Sequence, residues 1–381
     1  MNLKKILPQL LTVVVVVLIF GFFSYNAQVN MDNRGITFGY GFLSQESSFD
    51  VQFSLIEYDG SHSYFRAYLV GLLNTILVSV IGIVFATIIG VVVGIARLSK
   101  NYLIERTAAV YVEFFRNIPL LLQIFFWYFA ALRALPLPEK AEPMLGVFFL
   151  TIKGFFVPAF VWNNLDIFIY SIIAAIISIF FVRLYAKKKQ ENQGIQTPVL
   201  LISIGLLVVL PLLSFLIGGA EAYVEIPVIK QLSQSSFTYE GGLKLPPELI
   251  SLALALSLYT ATFIAENVRA GVQGVSKGQK EAAASIGLTP NQILKLVVMP
   301  QALRILIPPT TNQYLNLTKN SSLAAAIAYP DLVLVFAGTA LMQTGRAIEI
   351  VSITMLTYLS LSISISILMN WYNKKIAIKE K

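Results

Sequence analysis

The chain has 381 residues, 56% of them hydrophobic and only 13% charged, with a mean hydropathy of +0.74. A soluble domain carries about 25% charged residues, so an ordinary water-soluble globular fold is excluded. Cysteine is absent and His62 is the single histidine, which excludes disulfides, thiolate metal sites, a cysteine nucleophile and a histidine-rich metal cluster.

The first apolar run, residues 6–23, follows Lys4 and Lys5. A charged start before an apolar stretch is also the secretory pattern. This run, however, is longer than a usual signal core, and Tyr25-Asn26-Ala27 is a poor cleavage site, so it predicts an uncleaved anchor. Residues 30–63 are polar and read as an extramembrane loop. Further runs at 68–97, 107–132, 167–186, 198–218, 248–268, 302–328 and 347–371 are long enough to cross a hydrocarbon core of roughly 30 Å, which makes eight crossings. Residues 146–162 are apolar and aromatic but contain Lys153, Gly154 and Pro158, and read as lying at the interface.

With the amino terminus inside, lysine and arginine favour the inner segments by about two to one. Lys4 and Lys5 then share a side with Lys374, Lys375, Lys379 and Lys381, as an even number of crossings requires. The same distribution, short basic stretches between apolar runs, accounts for the net charge of +8 without nucleic acid as a partner.

The second run carries Gly71, Thr75, Ser79, Gly82, Ala86, Gly90 and Gly94. Small residues at helical spacing let helix backbones approach closely, so this stripe predicts tight packing. Two other runs carry polar stripes. In the third, Glu113, Arg116 or Asn117, Leu120 and Gln123 recur on one helical face. In the seventh, Asn312, Asn316, Lys319 and Asn320 follow Pro308-Pro309, which are expected to interrupt the helix. Polar side chains at membrane depth are functional candidates, and here they are expected to line a substrate path. The alternative is structural, with Glu113 pairing with Arg116 and Lys319 snorkelling or pairing.

The inner loop from Arg269 to Arg304 carries its own folding signals. Ser276-Lys277-Gly278-Gln279 reads as a capping box and opens a helix-favouring run to Ile286, with Gly287 at the left-handed terminator position. Thr289-Pro290-Asn291-Gln292 reads as a second box, and its helix is expected to stop at Pro300. Two short helices with a sharp bend make a rigid lever for a partner to grip, or else an ordinary amphipathic connector. No G-x-x-x-x-G-K-[ST] phosphate cradle occurs, so any ATP hydrolysis must come from another chain.

Glu281-Ala282-Ala283 with Gly287 and Pro300 resembles the EAA loop of bacterial ABC-importer permeases. Glu266, Val268-Arg269-Ala270-Gly271 and Lys277-Gly278-Gln279 look like the polar amino-acid branch. So do Phe115-Arg116-Asn117-Ile118-Pro119-Leu120-Leu121-Leu122-Gln123, Pro300-Gln301-Ala302-Leu303-Arg304 and Lys319-Asn320-Ser321-Ser322-Leu323. At Asn117-Ile118 the family usually has Gly-Thr before the proline. The insertion between Arg133 and Pro246, together with Asn33-Arg34-Gly35-Ile36, is similar to the larger permease of the general L-amino-acid systems.

The resemblance implies an all-α polytopic membrane protein with about eight transmembrane helices, a type I ABC-importer permease core and an inserted helix pair. It divides the chain into an anchor and periplasmic loop (1–67), a first core part (68–135), the insertion (136–245), a second core part (246–371) and a tail (372–381). It implies a bacterial inner-membrane location and a transport subunit, not an enzyme, with no cofactor. The implied cargo is L-amino acids delivered by a periplasmic binding protein. The implied partners are a second permease chain, which makes a heterodimer, and an ABC ATPase docked on Lys277, Gly278, Glu281, Ala282, Ala283, Gly287 and Pro300.

Three other classes compete with this reading. A secondary transporter driven by an ion gradient usually shows repeated halves, and no clear internal repeat is present. An intramembrane enzyme needs a convergent catalytic group, which the sequence does not supply. A non-transporting scaffold leaves the polar stripes unexplained.

Overall fold

The computed structural model describes residues 3–33, 38–216, 219, 221–233 and 236–376. Arg34, Gly35 and Ile36 of the amino-terminal motif lie outside the described residues, as do Lys379 and Lys381 of the tail.

In chain order the helices are α1 (Leu3–Asn33), α2 (Tyr64–Ala96), α3 (Tyr102–Asn117), α4 (Leu120–Phe125), α5 (Leu165–Gln193), α6 (Val199–Leu216), α7 (Pro247–Gln273), α8 (Lys277–Ser285), α9 (Pro290–Gln292), α10 (Met299–Asn320), α11 (Leu341–Thr344) and α12 (Ala347–Ile376). Wider π-helical turns occupy Phe126–Ala131, Ile293–Val298 and Val333–Ala340, and a tighter 3-10 stretch occupies Ser321–Ile327. Among the described residues seven helical segments are long and apolar enough to cross a membrane. Tyr102–Asn117 and Leu120–Ala134 meet at a bend of 101°, and the count reaches the expected eight if this bent pair is taken as one span.

Two compact units are present, residues 1–124 with 252–381, and residues 125–251. The second unit extends past the expected insertion limits of 136 and 245 at both ends.

In the first unit α2 carries out the expected close packing. A side chain added at Gly90 would sit 2.6 Å from Ile264 Cβ, and one at Gly94 2.7 Å from Val268 Cβ, so α2 and α7 touch backbone to backbone there. Gly71 meets the Leu332 backbone and Gly82 the Leu317 side chain in the same way. An apolar core of Phe42, Tyr64, Leu332, Phe336, Ala340 and Ile350 joins the polar loop after α1 to α2 and α12. That loop is pinned further by the Gly39 N–H donating to Glu349 Oε1 at 2.9 Å and the Tyr64 hydroxyl donating to Gln343 at 3.0 Å. His62 belongs to the same loop, 3.1 Å from the Asp59 carboxylate.

The second unit holds the antiparallel helix pair α5 and α6 and seven short strands: β1 (Phe149–Thr151), β2 (Gly154–Val157), β3 (Ala159–Asn163), β4 (Glu221–Glu225), β5 (Val228–Ser233), β6 (Ser236–Glu240) and β7 (Leu243–Leu245). They form three antiparallel sheets, β1-β2-β7, β3-β4 and β5-β6. The spans are therefore helical as expected, while the aromatic and β-branched residues of 146–162 go into strands. Phe156 and Tyr239 are buried together, ring centroids 4.8 Å apart, and the Tyr239 hydroxyl donates to Pro138 O at 3.0 Å.

Two helix expectations need correction. Pro308 and Pro309 do not interrupt their helix: α10 runs through both, packed against α2 and α12. Nor does Pro300 stop the preceding helix. It lies in the first turn of α10, where a missing N–H costs least, and the π-helical turn Ile293–Val298 leads straight into it. Packed neighbours override the helix-breaking residues at Pro308 and Pro309, and position within the turn accommodates Pro300.

Candidate functional site

The inner loop folds on a small core of Val275, Val298 and Ala302, with Val272 and Ile293 against it. Helix α8 packs on the Ile293–Val298 turn and buries Ala283. Lys277, Gly278, Glu281 and Ala282 are left exposed, with Pro300 half-buried. Gly287 has φ +83° and ends α8, as expected. The Leu288 N–H reaches Ala283 O at 3.2 Å and the Gly287 N–H reaches Ala284 O at 3.0 Å, the paired bonds of a Schellman terminator. Ile286 beside it is 77% exposed. The second capping box forms: Thr289 Oγ1 accepts from the Gln292 N–H, and Gln292 Oε1 accepts from the Thr289 N–H at 2.9 Å. The first does not, because Ser276 makes no side-chain cap bond.

At the membrane edge of this loop Glu266 of α7 lies between two arginines. Arg97, at the end of α2, is ion-paired with Glu266 Oε1, and Arg269 Nη2 lies 2.9 Å from Oε2. Arg269 also donates to Gln273 at 2.7 Å. Glu266 thereby ties α2 to α7 one turn beyond the Gly94 contact.

The polar stripes meet different fates. The 101° bend at Ile118-Pro119 splits the expected single face of 113–123. Gln123 is buried, and its amide donates to Phe115 O at 2.8 Å and Ile118 O at 3.0 Å, which closes the open end of α3. Glu113, Arg116 and Asn117 are exposed. Among the described ion pairs none joins Glu113 to Arg116, and the Arg116 guanidinium lies 5.3 Å from the Phe263 ring centroid. On α10, Asn312, Asn316 and Lys319 are exposed along one face, with Asn320 half-buried at its end. Leu317 and Thr318 face the interior.

The structure adds a cluster that the stripe pattern missed. Asp331 is fully buried and its Oδ1 accepts from the Leu334 N–H at 2.9 Å. Asn74 of α2 donates to Phe53 O and Pro330 O, each at 2.9 Å, and the Tyr329 hydroxyl donates to Asn74 O at 3.0 Å. The Tyr358 hydroxyl lies beside the Asp331 carboxyl, and Asn74 Oδ1 is buried without a hydrogen bond among the described residues. Burial pushes the Asp331 carboxyl, which lies between spanning segments, up to about 7. A lone amide inside the second apolar run and a lone carboxylate just past the seventh were the available signals.

Residues 195–378 match the family described as "Binding-protein-dependent transport system inner membrane component", in a chain with seven described helices long and apolar enough to cross a membrane. It is 47% identical over 380 residues to AapQ of Rhizobium johnstonii, a general L-amino acid transport system permease protein, covering 99% of this chain and 93% of that one. It is 46% identical over 374 residues to YhdX of Escherichia coli K12, provisionally named as an amino-acid ABC transporter permease, covering 98% and 94%. BztB of Rhodobacter capsulatus, a glutamate/glutamine/aspartate/asparagine transport system permease protein, is 38% identical over 386 residues, covering 93% and 89%. The chain belongs to the amino-acid permeases of the ABC transporters.

Proposed function

We propose that this permease moves L-amino acids handed over by a periplasmic binding protein across the bacterial inner membrane. A separate ATPase subunit docks on residues 271–300 and drives the movement, and a second permease chain completes the pathway. The observation that carries the reading is the inner loop. It has its own small core, two built-in helix signals and an exposed face containing Glu281, Ala282 and Ile286. A rigid element of that kind transmits force, where a loose connector would absorb it. The general amino-acid cargo follows from the likeness to AapQ.

The exposed face of Asn312, Asn316 and Lys319 suits a water-filled path shared with the second permease chain. An ion-driven carrier would instead transport without any ATPase. The test is the reconstituted complex with Glu281→Lys and, separately, Gly287→Arg. Both are expected to abolish the ATPase stimulation caused by loaded binding protein while the permease chain stays folded. Normal stimulation in both variants overturns the docking assignment. For the path, Asn316→Leu and Lys319→Leu should slow transport at unchanged ATPase activity, and unchanged transport removes that residue from the path.

A further inference from the structure

The helix pair α5–α6 ends in a polar cavity at the depth of the lipid headgroups. The uninterrupted apolar stretch of α5, residues 167–182, spans roughly 24 Å at 1.5 Å per residue, and α6 spans roughly 27 Å. Both reach a bilayer boundary at the same end, where α5 meets its first cation, Arg183, and α6 begins at Val199. A cavity of about 330 Å³ opens there, lined by Arg183, Ala186, Lys187, Gln190, Gln196 and Thr197 with Val199. The same end carries Lys188 and Lys189, and the charge bias assigns it to the inner face.

Three features make this cavity complementary to an anion. Arg183 has no ion-pair partner among the described residues, and Lys187 has only an exposed Glu191 at 3.9 Å, a contact too weak and too solvated to neutralise it. The Thr197 hydroxyl is buried without a hydrogen-bond partner, an arrangement that leaves one donor available inside the cavity. Finally, α6 starts at the cavity wall; the Val199 N–H donates to Thr197 O at 2.8 Å, and the next N–H groups of the first turn add positive potential at that point.

We propose that this cavity binds the phosphate of an acidic phospholipid, with Arg183 and Lys187 as the cations and Thr197 as a hydroxyl donor. The acyl chains then lie along the exposed apolar flanks of α5 and α6, where Ile177, Phe180, Phe181, Leu200 and Leu201 face outward. A free phosphate would satisfy the same polar groups but would gain nothing from those flanks, and the headgroup depth of the cavity favours the lipid.

The test is native mass spectrometry of the delipidated full transporter complex titrated with phosphatidylglycerol, with phosphatidylethanolamine as the zwitterionic control. The expected result is one tightly held phosphatidylglycerol per copy of this chain. The double variant Arg183→Gln/Lys187→Gln should weaken that binding about thirtyfold and leave phosphatidylethanolamine unchanged. Thr197→Val, which preserves shape, should weaken it several-fold in a complex that remains intact, and so guards against a misfolded double variant. Equal phosphatidylglycerol retention by all three proteins overturns the proposal. So does full displacement of the lipid by millimolar inorganic phosphate, which would assign the cavity to the free ion.

Discussion

Adding a methyl group at Gly90 or Gly94 should separate α2 from α7. At Gly90 the new carbon would lie 2.6 Å from Ile264 Cβ and 2.9 Å from Ala261 O; at Gly94, 2.7 Å from Val268 Cβ and 2.9 Å from Ala265 O. These obstacles are β-carbons and backbone carbonyls, so no rotamer change relieves them and one helix must shift. Overpacking of this kind costs about 1–3 kcal/mol. Because the two sites share one interface, the double variant should cost less than the sum of the singles. Gly82 makes a graded comparison. Its nearest obstacle is the Leu317 Cδ2 methyl at 3.1 Å, the end of a flexible side chain, so Gly82→Ala should be milder. Gly205 has nothing within 4 Å, and Gly205→Ala should be neutral or stabilising by up to about 1 kcal/mol. Thermal unfolding of the purified complex in detergent, followed by loss of the monodisperse peak, ranks the four variants. If Gly90→Ala melts no lower than Gly205→Ala, the close approach of α2 and α7 is wrong.

Two further outcomes follow from buried polar groups. The Asp331 carboxyl, raised from 3.8 to about 7, favours the folded state most at low pH and loses that contribution as pH rises from about 4 through 7, a total of roughly 4 kcal/mol. Asp331→Asn keeps the oxygen that caps Leu334 and should flatten this dependence, so its melting-temperature advantage over the parent should be greater at pH 8 than at pH 5. An advantage that is the same at both pH values contradicts the assignment. Gln123→Leu leaves the Phe115 and Ile118 carbonyls without their donor and should destabilise by about 1–3 kcal/mol, read as a lower unfolding midpoint. A midpoint equal to the parent's means that Gln123 does not hold the bend.

Much of the inner loop was legible without coordinates because its signals are local. Gly287 terminates α8 through bonds that reach no further than five residues back, and the Thr289–Gln292 box closes within one turn. Ser276 carried the same pattern and failed, since a capping box needs a side-chain geometry that residue spacing does not guarantee. The small residues of α2 announced close packing, but only the structure identifies Ile264, Val268, Leu317 and Leu332 as what they pack against.

The amino-acid sequence by itself determined that this is a polytopic membrane protein of a recognisable kind, because apolar run length and terminator chemistry are properties of short segments. Which polar residue mends the backbone was decided by tertiary structure. Gln123 fitted a helical stripe by spacing, yet the bend at Ile118-Pro119 turned it onto open carbonyls. Pro308 and Pro309 looked like an interruption, yet packed neighbours carried the helix through them. Asp331 became noteworthy only when α2, α12 and its own segment closed around it. Burial comes from residues distant in the chain, and no local pattern encodes it.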